Sequence, residues 1–291
     1  MALSRLARSV WRVGSGRPRV AVLGGVHGNE RTGVAVVRQL VEQFSDPRAA
    51  AKLRGELTLA IGNPDAVEKD VRFIKVDLNR CFTEDASSDP TQASQEHARA
   101  RELCEYLSDL DVLVDLHATN KPSEPFARLP GKVDRAHFDR CERWFLSFLP
   151  QRCTTVLWDP QYLIGGGRMS DECALRQSRR DGAFICYESG IASDIQSVPA
   201  VAEAMESLFV RLDMLESDKD QVQSYAREWT HYEISEVFRL DEQGFEWMNG
   251  HGQVNFGHVP AGEAYGRRGR GGPALVAPED SYIVFPKVAS L

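Results

Sequence analysis

Apolar and polar positions alternate along this chain with two periods, and the change between them divides it. "RVAVLGG" (19–25) is a near-continuous apolar run ending in paired glycines, the pattern of a buried strand. "NERTGVAVVRQLVEQF" (29–44) repeats its apolar residues at Val34, Val37, Leu40 and Val41, which is helical spacing. "GELTLAIGNPDAV" (55–67) predicts a second strand that stops at Pro64, since proline lacks the ladder donor. A helix is expected from about Ser94 to Leu107, a strand in "DVLVDLHAT" (111–119), and a helix in "FDRCERWFLSFL". "DGAFICYESG" (181–190) predicts another buried strand, and "SVPAVAEAMESLFVRLDML" (197–215) an amphipathic helix with Pro199 near its start. After the polar stretch "ESDKDQVQ", the pattern turns to short alternating runs and Gly/Pro turns such as "HYEISEVFRL", "GQVNFGHVPAG" and "YIVFPKV". The expectation is an α/β domain over 1–215, a linker, and a small C-terminal β module over 225–291. No internal repeat or low-complexity tract interrupts this plan.

Composition narrows the function. With 42% hydrophobic and 26% charged residues, the 291-residue chain reads as a globular domain of one large or two unequal parts. A net charge of −7 argues against a nucleic-acid partner but allows an anionic small molecule, because a few arginines can make a local positive pocket. Six cysteines without C-x-x-C pairs suit reduced, mostly buried thiols in a cytoplasmic protein. The N-terminal "MALSRLARSVWRVGSGRPR" is Arg- and Ser-bearing and free of acid, with no apolar core for a signal peptide, and is read as an ordinary N-terminal segment. No stretch approaches the roughly 20 apolar residues of a membrane span.

Candidate chemistry sits where predicted strands end, the usual place for ligands in α/β sheets. His27 follows "RVAVLGG", Glu30 comes three residues later, and His117 follows "DVLVDL". Two imidazoles and a carboxylate leave one position open, which is the ligand set of a catalytic zinc. An isolated H-x-x-E is common by chance and serves equally in a turn or a cap; the second strand-end histidine favours the metal. Asp115 shares a strand face with His117, where it suits either a hydrogen bond to the imidazole or an edge position.

In this order, "GGVHGNE", "GNPDAV", "RFIKVDLNRCF", "DLHAT" and "YESG" resemble the succinylglutamate desuccinylase/aspartoacylase family, relatives of the zinc carboxypeptidases. The resemblance covers most of the chain, and the C-terminal "NFGHVPAGEAYG" and "YIVFPKV" look closer to the desuccinylase branch. It implies a zinc-carboxypeptidase-like mixed sheet flanked by helices, with 1–215 as the zinc-hydrolase catalytic domain and the 225–291 module covering the active site. It also implies one Zn²⁺ per chain on His27, Glu30 and His117, and Glu188 of "YESG" as the catalytic glutamate. Without the family, Glu188 is equally a strand-end acid capping "SGIASD". Asn79 and Arg80 would hold the substrate's α-carboxylate, and Arg72 would stabilise a developing oxyanion. Surface ion pairs are the alternative for these arginines. Asp77 is expected to orient Arg80 or the loop.

"LIGGGRMSDECALRQSRR" (163–180) lacks the form of a phosphate loop and is read as a mobile substrate loop. A doubly acidic substrate needs a second cation, for which Arg168, Arg176, Arg179 and Arg180 compete; Arg168 is chosen. No C-terminal residue clearly matches the tyrosine that aspartoacylases bring to their site, and Tyr265 and Tyr282 are the candidates. The expected activity is zinc-dependent hydrolysis of an N-acyl acidic amino acid, with N-succinylglutamate first as in arginine catabolism. Deacylation of N-acetylaspartate, carboxypeptidase-like peptide hydrolysis and a non-enzymatic binding protein are the other readings.

Overall fold

The computed structural model describes residues 2–83, 94–131, 134–178, 182–216, 227–238, 244–269 and 271–287. It separates into two compact units, one comprising the residues up to Ala118 with Pro125–Ser235, the other Thr119–Glu124 with the residues from Glu236 onward.

The first unit is built on strands β1 (Ser4–Ala7), β2 (Val10–Ser15), β3 (Arg19–Gly24), β4 (Gly55–Ile61), β5 (Val112–Thr119), β6 (Phe126–Pro130), β7 (Thr155–Asp159), β8 (Ala183–Ile191) and β9 (Thr230–Glu233). They form one mixed sheet in the order β1-β2-β4-β3-β5-β8-β6-β7-β9. β3 runs parallel to both β4 and β5, whereas β2 and β6 pair antiparallel with β4 and β8. The chain places β4 on one side of β3 and β5 on the other, so the order reverses at β3. Such a switch point opens a crevice at the carboxyl ends of the strands.

Seven helices are described: α1 (Arg31–Ser45), α2 (Pro47–Lys52), α3 (Pro64–Glu68), α4 (Gln95–Tyr106), α5 (Arg135–Trp144), α6 (Ser170–Gln177) and α7 (Val198–Arg211). One sheet face is covered by α1, α5 and α7, whose Val37, Phe44, Phe138, Leu208 and Phe209 pack with Val20, Val22, Val114 and Ile185. The other face meets α4 and α6, where Ala100, Leu103 and Cys173 join Ala21, Leu23, Leu113 and Phe184. Alternation along a strand therefore sends successive residues into two different apolar layers, which is why the strands read as continuous apolar runs. On the α4/α6 face the alternation continues past the apolar layer into polar side chains: Leu113 is followed by Asp115 and His117, and Phe184 by Cys186 and Glu188.

Differences from the sequence reading are local. The N-terminal segment is a hairpin, β1 and β2, added to the sheet edge beside β4. β9 pairs in parallel with β7, so "HYE" belongs to the large sheet. Residues 163–180 are not one open loop: α6 begins at Ser170, and the segment before it is tied down at several amides. Asp159 accepts from the amides of Leu163 (2.6 Å) and Ile164 (3.1 Å), and Glu172 from that of Met169 (3.0 Å). Pro64 does end β4, and it starts α3 with Asn63 as its cap, accepting from the Ala66 amide at 3.2 Å.

The second unit holds a three-stranded sheet of β10 (Phe245–Trp247), β12 (Ala264–Arg268) and β13 (Ala274–Val276). A two-stranded ladder joins β11 (Gly257–Val259) to β14 (Ser281–Ile283). Among the described residues no helix is long and apolar enough to cross a membrane.

Candidate functional site

The chain leaves β3 at Gly24 and must turn sharply to present His27. Gly25 takes φ +66°, a conformation that favours glycine, and at Gly28 a Cβ would stand 2.1 Å from the Ala66 backbone carbon. Glu30 occupies the cap position of α1, yet its side chain makes no cap hydrogen bond. It turns instead toward the histidines: Oε1 lies 2.7 Å from His27 Nδ1, and Oε2 lies 2.8 Å from His117 Nδ1. The Ala118 amide donates to Oε2 at 3.1 Å and Arg72 Nη1 to Oε1 at 3.2 Å. All three ligand candidates are buried, and their ligand atoms lie within 4.8 Å of one another.

The far nitrogens of both imidazoles face carboxylates as well. His27 Nε2 is 2.9 Å from Asp77 Oδ1. His117 Nε2 is 3.0 Å from Asp115 Oδ2, angled off the axis of a hydrogen bond. Burial alone would push the Glu30 carboxyl up, but His27 and His117 outweigh it and hold the group below the usual carboxylate range. Asp77 is likewise held low, its burial outweighed by His27, Arg72 and Arg80. For His117 burial pushes down, and the Asp115 and Glu30 carboxylates lift its pKa well above the ordinary value.

This donor set fits a divalent cation. A neutral imidazole has one N–H and cannot donate from both nitrogens to the carboxylates on either side of it. A cation facing the two Nδ1 atoms and Glu30 removes that conflict and leaves the Nε2–H groups for Asp77 and Asp115. The ligands are nitrogen and oxygen with no sulfur, the set of a catalytic rather than a structural zinc.

Glu188, near the end of β8, lies within electrostatic reach of this cluster. It is buried, its Oε2 has no partner among the described residues, and its pKa is pushed up to about 7 by burial. His117, His27 and Arg72 pull that value down and Glu30 raises it. The next residue, Ser189, bonds its hydroxyl to the His117 carbonyl at 3.0 Å, pinning β8 beside β5.

Arg72 and Asn79–Arg80 lie on the irregular segment between α3 and α4. Glu96 of α4 holds this segment by accepting from the Ile74 and Lys75 amides at 2.8 and 3.0 Å. Arg72 forks between Glu30 and Asp77, with its Nη2 3.3 Å from Asp77 Oδ2. Asp77 thus holds His27 and Arg72, and it also accepts from the Asn79 amide at 2.9 Å, so it orients the loop as the sequence suggests. Asn79 is buried, and its Oδ1 accepts from the Ser170 amide at 3.1 Å. Arg80 Nη1 donates to the Asn79 carbonyl at 2.6 Å, and burial lowers the Arg80 pKa. Arg168 is exposed, and Arg176 bonds the carbonyls of Gly167 and Phe82. Arg179 and Arg180 lie outside the described residues.

The sequence reading missed a second charged cluster. Arg128 of β6 is completely buried and pairs with Asp159 (2.8 Å), Asp171 (2.6 Å) and Glu172. Its only signal in the sequence is a charge inside the short apolar run "FARLP".

Comparison with known proteins agrees with this architecture. Residues 16–153 match the family model of the succinylglutamate desuccinylase/aspartoacylase catalytic domain. "Probable aspartoacylase" of Nostoc sp. (strain PCC 7120) is 39% identical over 106 residues, 35% of each chain. The chain thus matches about a third of the length of such curated relatives. Succinylglutamate desuccinylase of Shewanella amazonensis is 25% identical over 289 residues, covering 94% of this chain and 79% of the relative. The crystal structure of succinylglutamate desuccinylase from Vibrio cholerae superposes with a TM-score of 0.75 at 19% identity. That superposition covers 99% of this chain and 84% of the other, a likeness of fold. His27, Glu30, Arg72, Asn79, Arg80 and His117 fall inside the family match, whereas Glu188 and Arg168 lie beyond it.

Proposed function

We propose that the chain is a zinc-dependent amidohydrolase removing the acyl group from an acidic N-acyl amino acid, with N-succinylglutamate as its first substrate. The observation that carries this is the convergence of His27 Nδ1, Glu30 and His117 Nδ1 within 4.8 Å, with the carboxyl of Glu188 close by and uncommitted. His27, Glu30 and His117 would hold the metal. When bound, it supplies Lewis-acid polarisation of the scissile carbonyl and acidification of water.

The remaining work falls to side chains. Glu188 accepts a proton from the attacking water and returns it to the leaving nitrogen. A carboxyl with a pKa near 7 is matched to exchanging protons in both directions at neutral pH. Arg72 presents its guanidinium beside the ligands, where it stabilises negative charge developing on the carbonyl oxygen. Asn79 and Arg80 hold the α-carboxylate, and Arg168 reaches the additional carboxylate of a succinyl group. The name of the S. amazonensis relative, which matches along most of its length, supports succinylglutamate, and the Nostoc relative supports N-acetylaspartate as the alternative.

The deciding experiment combines elemental analysis of the purified protein with kinetics on N-succinylglutamate, N-acetylaspartate, other N-acyl amino acids and peptides. About one zinc per chain and highest kcat/KM on N-succinylglutamate are expected. Activity confined to peptides would move the protein to the carboxypeptidase reading, and a metal-free, inactive protein would end the hydrolase reading.

A further inference from the structure

Ser170 is the first helical residue of α6 and is completely buried. It reaches two parts of the site at once. Its hydroxyl donates to Asp115 Oδ2, the same oxygen that faces His117 Nε2 at 3.0 Å. The other oxygen, Asp115 Oδ1, is buried with no partner among the described residues. The Ser170 hydroxyl is therefore the described hydrogen bond that decides which way the Asp115 carboxylate turns.

The Ser170 backbone N–H donates to Asn79 Oδ1 at 3.1 Å. A backbone N–H can only donate, so it selects the amide oxygen and turns the Asn79 NH₂ away from α6. The helix that carries Ser170 is itself clamped. Asp171 and Glu172, the next two residues, both pair with Arg128, and Glu172 also accepts from the Met169 amide.

We propose that Ser170 is a positioning residue with two separable effects: its hydroxyl holds Asp115 against the His117 ring, and its amide holds Asn79 with the NH₂ available to the substrate carboxylate. This rests on the reading of His117 as a zinc ligand and Asn79 as a carboxylate binder. Groups that orient a ligating histidine from behind affect metal affinity by roughly 10- to 100-fold.

Two substitutions separate the effects. Ser170→Ala removes the hydroxyl and keeps the amide. Ser170→Pro removes both, and proline is tolerated at the first helical position when the preceding residue is extended, as Met169 is at φ −91°, ψ 161°. Zinc affinity is read by titrating zinc alone into metal-stripped protein against a chelating indicator, with circular dichroism confirming the fold.

Ser170→Ala is expected to weaken zinc by roughly 10- to 100-fold. In an Asp115→Asn background the same change should cost less than about twofold, since the two residues act as one unit. At saturating zinc, Ser170→Pro should raise KM for N-succinylglutamate about tenfold over Ser170→Ala, the scale of a hydrogen bond to a charged group. Equal zinc affinity in parent and Ser170→Ala, or additive losses in the cycle, overturns the hydroxyl role. Equal KM in folded Ala and Pro variants overturns the amide role. A parent protein that binds no zinc would instead overturn the metal reading itself and the hydroxyl role with it.

Discussion

Two buried charged clusters lie on the same face of the same sheet, and they are finished to different degrees. Around Arg128 the side chains of Asp159, Asp171 and Glu172 are all sealed from solvent, and each pairs with the guanidinium and with a nearby amide, while Arg128 Nε has no partner among the described residues. Around His27, Glu30 and His117 the same burial leaves His117 Nε2 and Glu188 Oε2 without a hydrogen-bond partner, and Arg72 keeps 29% of its side chain exposed. Buried charge by itself marks structure as often as chemistry. What separates the two is where the uncommitted polar atoms lie: one guanidinium N–H sealed among three acids in the first, and an imidazole nitrogen and a carboxylate oxygen beside a part-exposed arginine in the second. The Arg128 cluster holds the strands and α6 in place; on the proposed function the open positions of the histidine cluster serve a metal and a substrate.

The largest test removes a ligand from the incomplete cluster. His117→Ala is expected to lose most bound zinc and activity together, measured by elemental analysis beside kinetics. Full zinc occupancy in both His27→Ala and His117→Ala would remove the distinction between the clusters. Next, Glu188→Gln should retain zinc and substrate binding while kcat falls by roughly two to four decades, the range for acid–base catalysis. A near-normal kcat would make Glu188 a capping residue after all.

The complementary test breaks the finished cluster. Arg128→Met leaves three buried acids without their counter-charge and should destabilise the fold by about 3–5 kcal/mol in urea titrations. The pKa values of Asp171 and Glu172 are already raised by burial, so losing Arg128 should drive them further toward the neutral form. A variant as stable as the parent would show that the cluster adds little to stability, as some buried ion pairs do.

Much of the incomplete cluster was legible in the sequence because its residues sit at strand ends in recognisable order. His27, Glu30 and His117 converge as their spacing implied, since the parallel neighbours β3 and β5 bring their carboxyl ends together. The Arg128 cluster was not legible. Its four members come from β6, β7 and α6, distant in sequence, and nothing local in "FARLP", "LWD" or "SDE" distinguishes a buried charge from an exposed one. For the same reason α6 was hidden inside a segment that its glycines made look like a loop. The role of Glu96 had no signal in the sequence, because its partners are backbone amides at 74 and 75, which no side-chain pattern reveals.

A finer contrast comes from pH. In metal-free protein the folded Glu188 titrates at about 7 against an ordinary 4.5, so between those values the native state keeps a proton that the unfolded chain has released. Stability should therefore fall as pH rises across that window, by roughly 3 kcal/mol at 1.36 kcal/mol per pKa unit. Glu30 and Asp77, held low, act in the opposite sense and at lower pH. His117, held high, loses its contribution only at higher pH. Urea titrations of metal-stripped parent and Glu188→Gln isolate the one group. The slope between pH 4.5 and 7 should be smaller in the variant, and parallel curves would mean that Glu188 titrates normally.

The smallest expected effect concerns selectivity, at the exposed margin of the site. A succinyl substrate carries one carboxylate more than an acetyl one, and among the described arginines of the Gly-rich segment the two candidates are placed differently. Arg176 is engaged with the Gly167 and Phe82 carbonyls, while Arg168 is exposed beside Cys81, next in sequence to Arg80. An exposed ion pair contributes up to about 1 kcal/mol, or roughly fivefold. Arg168→Ala should therefore lower kcat/KM on N-succinylglutamate by about that factor and leave N-acetylaspartate within about twofold. Arg80→Ala should weaken both substrates, because both carry the α-carboxylate. Equal losses on the two substrates in Arg168→Ala would assign the distal carboxylate to another cation. A parent preference for N-acetylaspartate would remove the need for that cation and place the chain with the aspartoacylases.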